Sequence, residues 1–163
     1  MSLPNSRITF ALIALGCAAG LATALYMEYG MGLAPCPMCM MQRVAMIAAG
    51  AVALVAAIHG PGASGIRTYA ALTAAIGVTG AGVAGRQVWL QSLPADQVPA
   101  CGASLDYMLD VFPLLEVLQK VLAGDGTCAE VVWTFLGLSI PAWTFIAFAA
   151  VVTGAVIQLA RPR

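Results

Sequence analysis

Between Arg7 and Glu28 the chain runs for 20 residues, Ile8 to Met27, without a single charge. A stretch of that length and character can cross the hydrocarbon core of a bilayer as one helix. A helix also satisfies its own backbone, which lipid demands of any spanning segment. The pattern recurs. Val44 to Ile58 is shorter, and Pro37 to Gln42 extends it past Arg43. Thr68 to Gly85 is a third stretch. Val131 to Leu159 is the longest, and Pro141 divides it. Proline suits the first turn of a helix, so the last span is placed from Pro141 onward and the segment before it at the interface. Of 163 residues, 61% are hydrophobic and 9% charged, against roughly 25% charged in soluble domains. Too few charges remain to cover a water-soluble surface. The sequence therefore predicts an all-α membrane protein, one domain over 1–163. It would be a four-transmembrane-helix bundle with spans at about 8–27, 40–58, 68–85 and 141–159.

Charge sets the orientation. Arg7, Arg67, Arg161 and Arg163 fall at the N-terminus, the link between spans 2 and 3, and the C-terminus, which share one side in a four-span chain. All seven acids (Glu28, Asp96, Asp106, Asp110, Glu116, Asp125, Glu130) fall on the other side. Cytoplasmic loops carry the excess of basic residues. Both termini are thus expected in the cytoplasm, with outer loops at about 28–39 and 86–140. Cys36, Cys39, Cys101 and Cys128 then face outward, where disulfides persist in bacteria, and the expected location is the inner membrane. The formal net charge of zero leaves no basic patch for nucleic acid. Arg7 and the apolar run up to Cys17 weakly resemble a lipoprotein signal. The run continues ten residues past Cys17, as a span does.

The second outer loop holds Leu105, Met108, Leu109, Phe112, Leu115, Leu118 and Leu122 at helical spacing, with Asp106, Asp110, Glu116 and Lys120 between them. Pro113 interrupts, so two short helical pieces are expected, lying flat on the headgroups. Within the spans, Gly16 with Gly20, Gly77 with Ala81, and Ala81 with Gly85 are four apart. Such small-residue faces let helices approach closely in lipid.

Chemistry points to the cysteines. Pro35-Cys36-Pro37-Met38-Cys39 leads into a helix, whose free amides and dipole favour thiolate at its start. Arg43 follows Cys39 by four and Cys36 by seven, which puts all three on one helical face. It can favour the thiolate or an anion formed on a bound acceptor. An arginine near a bilayer edge is costly unless it is paired, snorkels or works. CxxC alone fits a redox pair, half of a metal site or an accident. Zinc is disfavoured because Cys101 and Cys128 lack the usual short ligand spacing, and no metal site is assigned. If bonded to each other, Cys101 and Cys128 would stabilise the fold by about 3.6 kcal/mol as a staple. The glycines beside them, Gly102, Gly124 and Gly126, instead predict mobile, accessible sulfurs open to exchange. Cys17 reads as a buried small hydrophobe.

Several motifs together resemble the DsbB family of bacterial inner-membrane disulfide bond formation proteins. They are Cys36-Pro37-Met38-Cys39 with Gln42-Arg43, Cys101, Gly126-Thr127-Cys128-Ala129-Glu130, Trp133 with Phe135-Leu136-Gly137-Leu138, and Ile140-Pro141-Ala142-Trp143. The resemblance implies a quinone-dependent oxidase that regenerates a DsbA-like periplasmic thiol oxidase. It implies that Cys101–Cys128 is the disulfide attacked by that partner, with Cys101 forming the mixed disulfide. Cys128 would then engage Cys36 and free Cys39, whose thiolate acts on the bound quinone beside Arg43. Ubiquinone is expected in preference to menaquinone. DsbB proteins can carry a histidine near the quinone late in span 3. Gln87 stands at that place here and is expected to serve as a neutral hydrogen-bond donor, with Arg86 a weaker candidate. The competing readings are a non-catalytic scaffold with structural disulfides, an electron carrier passing reductant outward, and a quinone-linked reductase of another four-helix family.

Overall fold

A computed structural model describes residues 5–161, apart from 95, 99, 101, 103 and 104. Four long apolar helices dominate it: α1 (Ser6–Leu25), α2 (Pro37–His59), α3 (Ala63–Gln91) and α7 (Ile140–Ala160). Each is long and apolar enough to cross a membrane, and the protein is an all-α four-helix membrane bundle. Between α3 and α7 lie three short helices, α4 (Leu105–Val111), α5 (Leu114–Ala123) and α6 (Gly126–Ala129). A small hairpin of β1 (Thr134–Phe135) and β2 (Leu138–Ser139) follows. Pro113 separates α4 from α5, where a ring without an N–H interrupts the helix.

Local chemistry fixes the ends of the spans. Asn5 caps α1 by accepting from the Arg7 amide at 3.3 Å. A π-helical turn, Tyr26–Gly30, extends α1 and carries Glu28. Cys36 is the N-cap of α2, and Pro37 occupies its first turn, where a missing N–H costs nothing. Gly60 ends α2 with φ +57, a conformation glycine adopts without strain. Arg7 reaches across to the last carbonyls of α2, donating to Ala57 O at 3.0 Å and Ile58 O at 3.2 Å. Pro141 lies in the first turn of α7 as expected. Helix α3 continues past the expected end near 85 to Gln91. Its 29 residues extend about 43 Å at 1.5 Å each, well beyond a hydrocarbon core of roughly 30 Å. The excess lifts Gln87 and Gln91 to the end of the bundle that holds the cysteines. At the opposite end the start of α1 meets the residue after α7, where Arg161 donates to the Ser6 hydroxyl at 3.3 Å.

Glycine governs helix approach, though not at every position the spacing singled out. A Cβ on Gly80 would stand 2.4 Å from the Phe148 ring, one on Gly77 2.9 Å from Val152, and one on Gly50 2.9 Å from the Cβ of Cys17. Gly16, by contrast, has nothing within 4 Å, and Gly20 has only the Met46 methyl at 3.8 Å. Gly16 is exposed and Gly20 borders the open space beside α2, so the closest glycine contacts between spans are α3 on α7 and α1 on α2. Two buried clusters result. One holds Phe10, Ile13, Cys17, Met46, Ala49 and Phe148 in the body of the bundle. The other holds Cys36, Met38, Leu90, Met108, Val117 and Cys128 at the end of the bundle where α5 and α6 fold onto α2 and α3. Among the described residues, Thr73 Oγ1 and both amide atoms of Gln158 are buried without a hydrogen-bond partner.

The hairpin turns on Leu136-Gly137, with φ +51 and +79. Both central residues are left-handed, the arrangement of a tight turn that favours Asn-Gly. A leucine there costs roughly 1–2 kcal/mol.

Candidate active site

Three of the four predicted sulfurs converge at the start of α2. Cys36 Sγ accepts from the Cys39 amide at 3.2 Å. The same helix start turns the Met38 amide toward Cys128. First-turn amides have no partner within their own helix, so this end can hold two sulfurs as anions. No disulfide joins described residues, and Cys36, Cys39 and Cys128 are thiols. Cys36 donates its proton to the neighbouring sulfurs. Those hydrogen bonds to Cys128 and Cys39, with burial, push the Cys36 thiol far up. The Cys36 hydrogen bond holds the Cys128 thiol below its ordinary value, with backbone amides helping and burial opposing.

Cys128 is not on the mobile, accessible backbone that its glycines predicted. It is 1% exposed, in the short helix α6. Asp125 caps that helix, accepting from the Cys128 amide at 3.1 Å. The flanking glycines serve the turn instead: Gly124 has φ +83 at the end of α5. Cys101 lies outside the described residues. The backbone on either side of it rests against the same turn: Gly126 donates to Ala100 O at 3.3 Å, and Gly102 abuts the Asp125 side chain.

Gln87 binds the sulfurs together. Its amide Nε2 donates to Cys36 Sγ at 3.2 Å, Cys39 Sγ at 3.4 Å and Cys128 O at 3.4 Å. Gln42 donates to Gln87 Oε1 at 2.7 Å, which leaves Nε2 to face Cys36; Cys39 Sγ is within reach of both ends, also 3.8 Å from Oε1, to which its thiol can donate. Both glutamines are buried. A neutral amide can donate to a thiolate without titrating itself.

On another side of Cys39 lies an apolar cavity of about 350 Å³ between α1, α2, the hairpin and α7. Cys39, Gln42 and Arg43 line it beside Met46, Trp133 and Phe135. Arg43 forms a salt bridge with Glu28 on the π-turn and donates to Ala24 O at 3.1 Å. A partly buried arginine is thus paired and still faces the cavity. Gln87 does not line this cavity. Arg86 turns elsewhere, donating to Leu122 O at 3.4 Å and Ala123 O at 3.2 Å, with Trp89 beneath it. It caps the end of α5.

The sequence reading missed Glu28 and the role of Gln42. A signal existed for the first. Glu28 is the sole acid before Asp96, and Arg43 the sole charge within the second apolar stretch, so each needed the other. Nothing in the spacing shows that Gln42 orients Gln87.

The model of the disulfide bond formation protein DsbB family matches residues 6–158. This chain belongs to the DsbB family. Relatives named disulfide bond formation protein B include those of Marinobacter nauticus, 56% identical over 96% of this chain and 94% of that protein, and Saccharophagus degradans, 53% identical over the same shares. That of Stutzerimonas stutzeri is 50% identical over 99% of both chains. Membership of the DsbB family places the fold, the sulfur cluster and the cavity in a multi-pass membrane oxidoreductase.

Proposed function

We propose that this protein regenerates a DsbA-like periplasmic thiol oxidase and passes the two electrons to a membrane quinone. One observation carries the reading: Cys39 belongs both to a three-sulfur cluster and to the wall of an apolar cavity. The cavity fits a quinone head. It exceeds 300 Å³, the lower end of ordinary ligand sites, and its wall is apolar with one cation and one thiol. Cys39 and Arg43 would hold the head at one end, and Trp133 and Phe135 would flank it. When bound, a quinone supplies an acceptor of two electrons and two protons. Ubiquinone is the acceptor to try first.

The protein's own groups supply the exchange. A partner thiolate attacks Cys101 of the Cys101–Cys128 disulfide, forming a mixed disulfide and releasing Cys128 as thiolate. Cys128 attacks Cys36 Sγ of the Cys36–Cys39 disulfide, making Cys36–Cys128 and releasing Cys39 thiolate into the cavity. The partner's second thiolate then breaks the mixed disulfide, and the partner leaves oxidised. Cys101 thiolate attacks Cys128, restoring Cys101–Cys128 and freeing Cys36. Cys36 and Cys39 give up two electrons as their disulfide re-forms. Each attack needs a thiolate aimed at a sulfur. The first-turn amides and the Gln87 amide favour the anions, and Arg43 lies beside the last one. The cysteines face the periplasm and both termini the cytoplasm.

The test uses purified protein in lipid, a reduced periplasmic dithiol protein and ubiquinone, with quinone absorbance followed over time. Loss of quinone absorbance in step with partner oxidation is expected. Partner oxidation with unchanged quinone absorbance would refute the reading.

A further inference from the structure

The hairpin that walls the cavity carries an oddity. Leu136 occupies a left-handed position, φ +51, yet is 78% exposed. No internal packing repays its strained backbone. Its neighbours are also apolar and open: Val131, Val132 and Phe135 are each about half exposed, and Leu138 more than a third. An exposed turn in water favours Asn-Gly at these two positions.

Three further observations place this tip in a non-aqueous phase. The chain carries no charge between Glu130 and Arg161, so hairpin and α7 form one uncharged run. On α7, the spanning helix that follows the hairpin, Phe145 and Ile146 are exposed as well. Phe135 lines the same cavity as Gly20, Met46 and Ala147, each more than one turn inside its span. The hairpin thus folds back beside the bundle rather than out from it. Trp143 Nε1 donates to Phe135 O at 3.0 Å, which latches the hairpin to the start of α7 and satisfies that carbonyl. Trp133 stacks on Phe135 with ring centres 6.0 Å apart. Tryptophans collect at the membrane boundary, which is also as deep as the open edges of a two-stranded hairpin can go, because unpaired backbone is not tolerated below it.

We propose that the hairpin 134–139 lies at the membrane boundary with the Leu136 side chain inserted among the lipid acyl chains as its anchor, and so forms a membrane-side wall of the cavity. Burial of the leucine side chain in lipid offsets the strained φ. A ligand dissolved in the bilayer would pass beside this anchor to reach Cys39. That consequence rests on the function proposed above, whereas the lipid seat does not.

Two measurements on the full chain in nanodiscs test the seat and its consequence. In the first, Leu136→Trp adds an emitter at the tip. The added fluorescence should be quenched by lipids brominated in the acyl chains and spared by aqueous iodide. Quenching by iodide without quenching by bromolipid would overturn the proposal. So would shielding from iodide that appears only when the reduced partner protein binds, which would make the tip a protein-docking surface. In the second, Leu136→Asn keeps and improves the turn while removing the anchor. The KM for a long-tailed quinone should rise several-fold, with kcat and the KM for a short-tailed, water-soluble analogue unchanged. Leu136→Met should restore the wild-type KM. An unchanged KM in Leu136→Asn would overturn the claim that the anchor serves entry. Bromolipid quenching in Leu136→Trp beside a wild-type protein that reduces no quinone would sink the proposed function and leave the lipid seat standing.

Discussion

Cys17, Cys36 and Cys128 are all buried in the same small protein, with Cys39 half-buried beside the last two, and Cys17 sits in the opposite chemical world from the other three. Cys17 lies in the body of the bundle, packed among Phe10, Ile13, Met46 and Ala49 and pressed against Gly50. The region offers it bulk contact and no charge. Cys36, Cys39 and Cys128 meet two first-turn amides, the Gln87 amide and one another. Burial alone makes a thiol inert. Fixed donors aimed at the sulfur make burial useful, because water cannot compete for the anion. Reactivity is therefore a property of the helix start and the two glutamines, not of the cysteines.

Changing a sulfur at the active end should give the largest effect. Cys39→Ser is expected to abolish quinone reduction while leaving the bundle folded, because the last sulfur before the acceptor is gone. Cys101→Ser should block the mixed disulfide with the partner, visible as a missing crosslinked band. Wild-type turnover by either variant would break the comparison at its active end.

Next in size is Gln87→Leu, which removes the neutral donor and keeps the bulk. A hydrogen bond to a charged group contributes about 1.5–3 kcal/mol, so the rate of Cys36–Cys39 chemistry should fall roughly ten- to a hundredfold. Gln42→Leu should show part of that loss, since it frees Gln87 to turn. Stopped-flow kinetics of quinone reduction would read both. An undiminished rate in Gln87→Leu would mean that the helix amides suffice.

Arg43→Ala tests the cavity face of the same cluster. Quinone KM should rise about tenfold, a loss of about 1.4 kcal/mol, with thiol exchange between Cys128 and Cys36 intact. Glu28→Gln should have a smaller effect in the same direction, because Arg43 keeps its contact with Ala24 O.

How far the chain announced this division depends on distance along it. The four spans are local properties: runs of uncharged residues long enough to cross lipid, with prolines and glycine at their ends. So is the position of Cys36 and Cys39 at a helix start, given Pro37. The glycine contacts were only half legible, because spacing reveals a small-residue face but not what faces it. Gly77 meets Val152, while Gly16 meets nothing. The buried state of Cys128 was not legible at all. It depends on α5 and α6 folding onto α2 and α3, a packing decision made by residues far apart. The Gln42–Gln87 contact is of the same kind, joining positions 45 apart through helix register.

The protonation of Cys128 gives a subtler contrast. Its largest support is the Cys36 hydrogen bond, and that bond holds its thiol below the ordinary range. Thiolate forms as pH rises through the pKa. A lowered pKa therefore moves the onset of Cys128 thiolate to lower pH than a free cysteine near 8.5. In the reduced protein, ultraviolet thiolate absorbance should begin to appear below that range. Cys36→Ala should move the Cys128 component upward, because burial then opposes the thiolate with only the backbone amides left to support it. A Cys128 component unmoved by Cys36→Ala would assign its acidity to the backbone alone.

The smallest effect is expected where the comparison says nothing catalytic happens. Cys17→Ala removes one sulfur from an apolar wall and leaves a void too small for water. By the cost of small cavities, unfolding stability should drop by about 1 kcal/mol, read from the thermal midpoint in detergent. Turnover, quinone KM and the pH profile should all match the wild type. The neighbouring Gly50→Ala supplies the control for packing. Its added Cβ would lie 2.9 Å from that of Cys17, an atom alanine keeps, so it should destabilise the wild type and Cys17→Ala alike, with turnover of the folded protein unchanged. Lost turnover in Cys17→Ala at unchanged stability would place a fifth sulfur in the electron path, and the inert half of the comparison would fall.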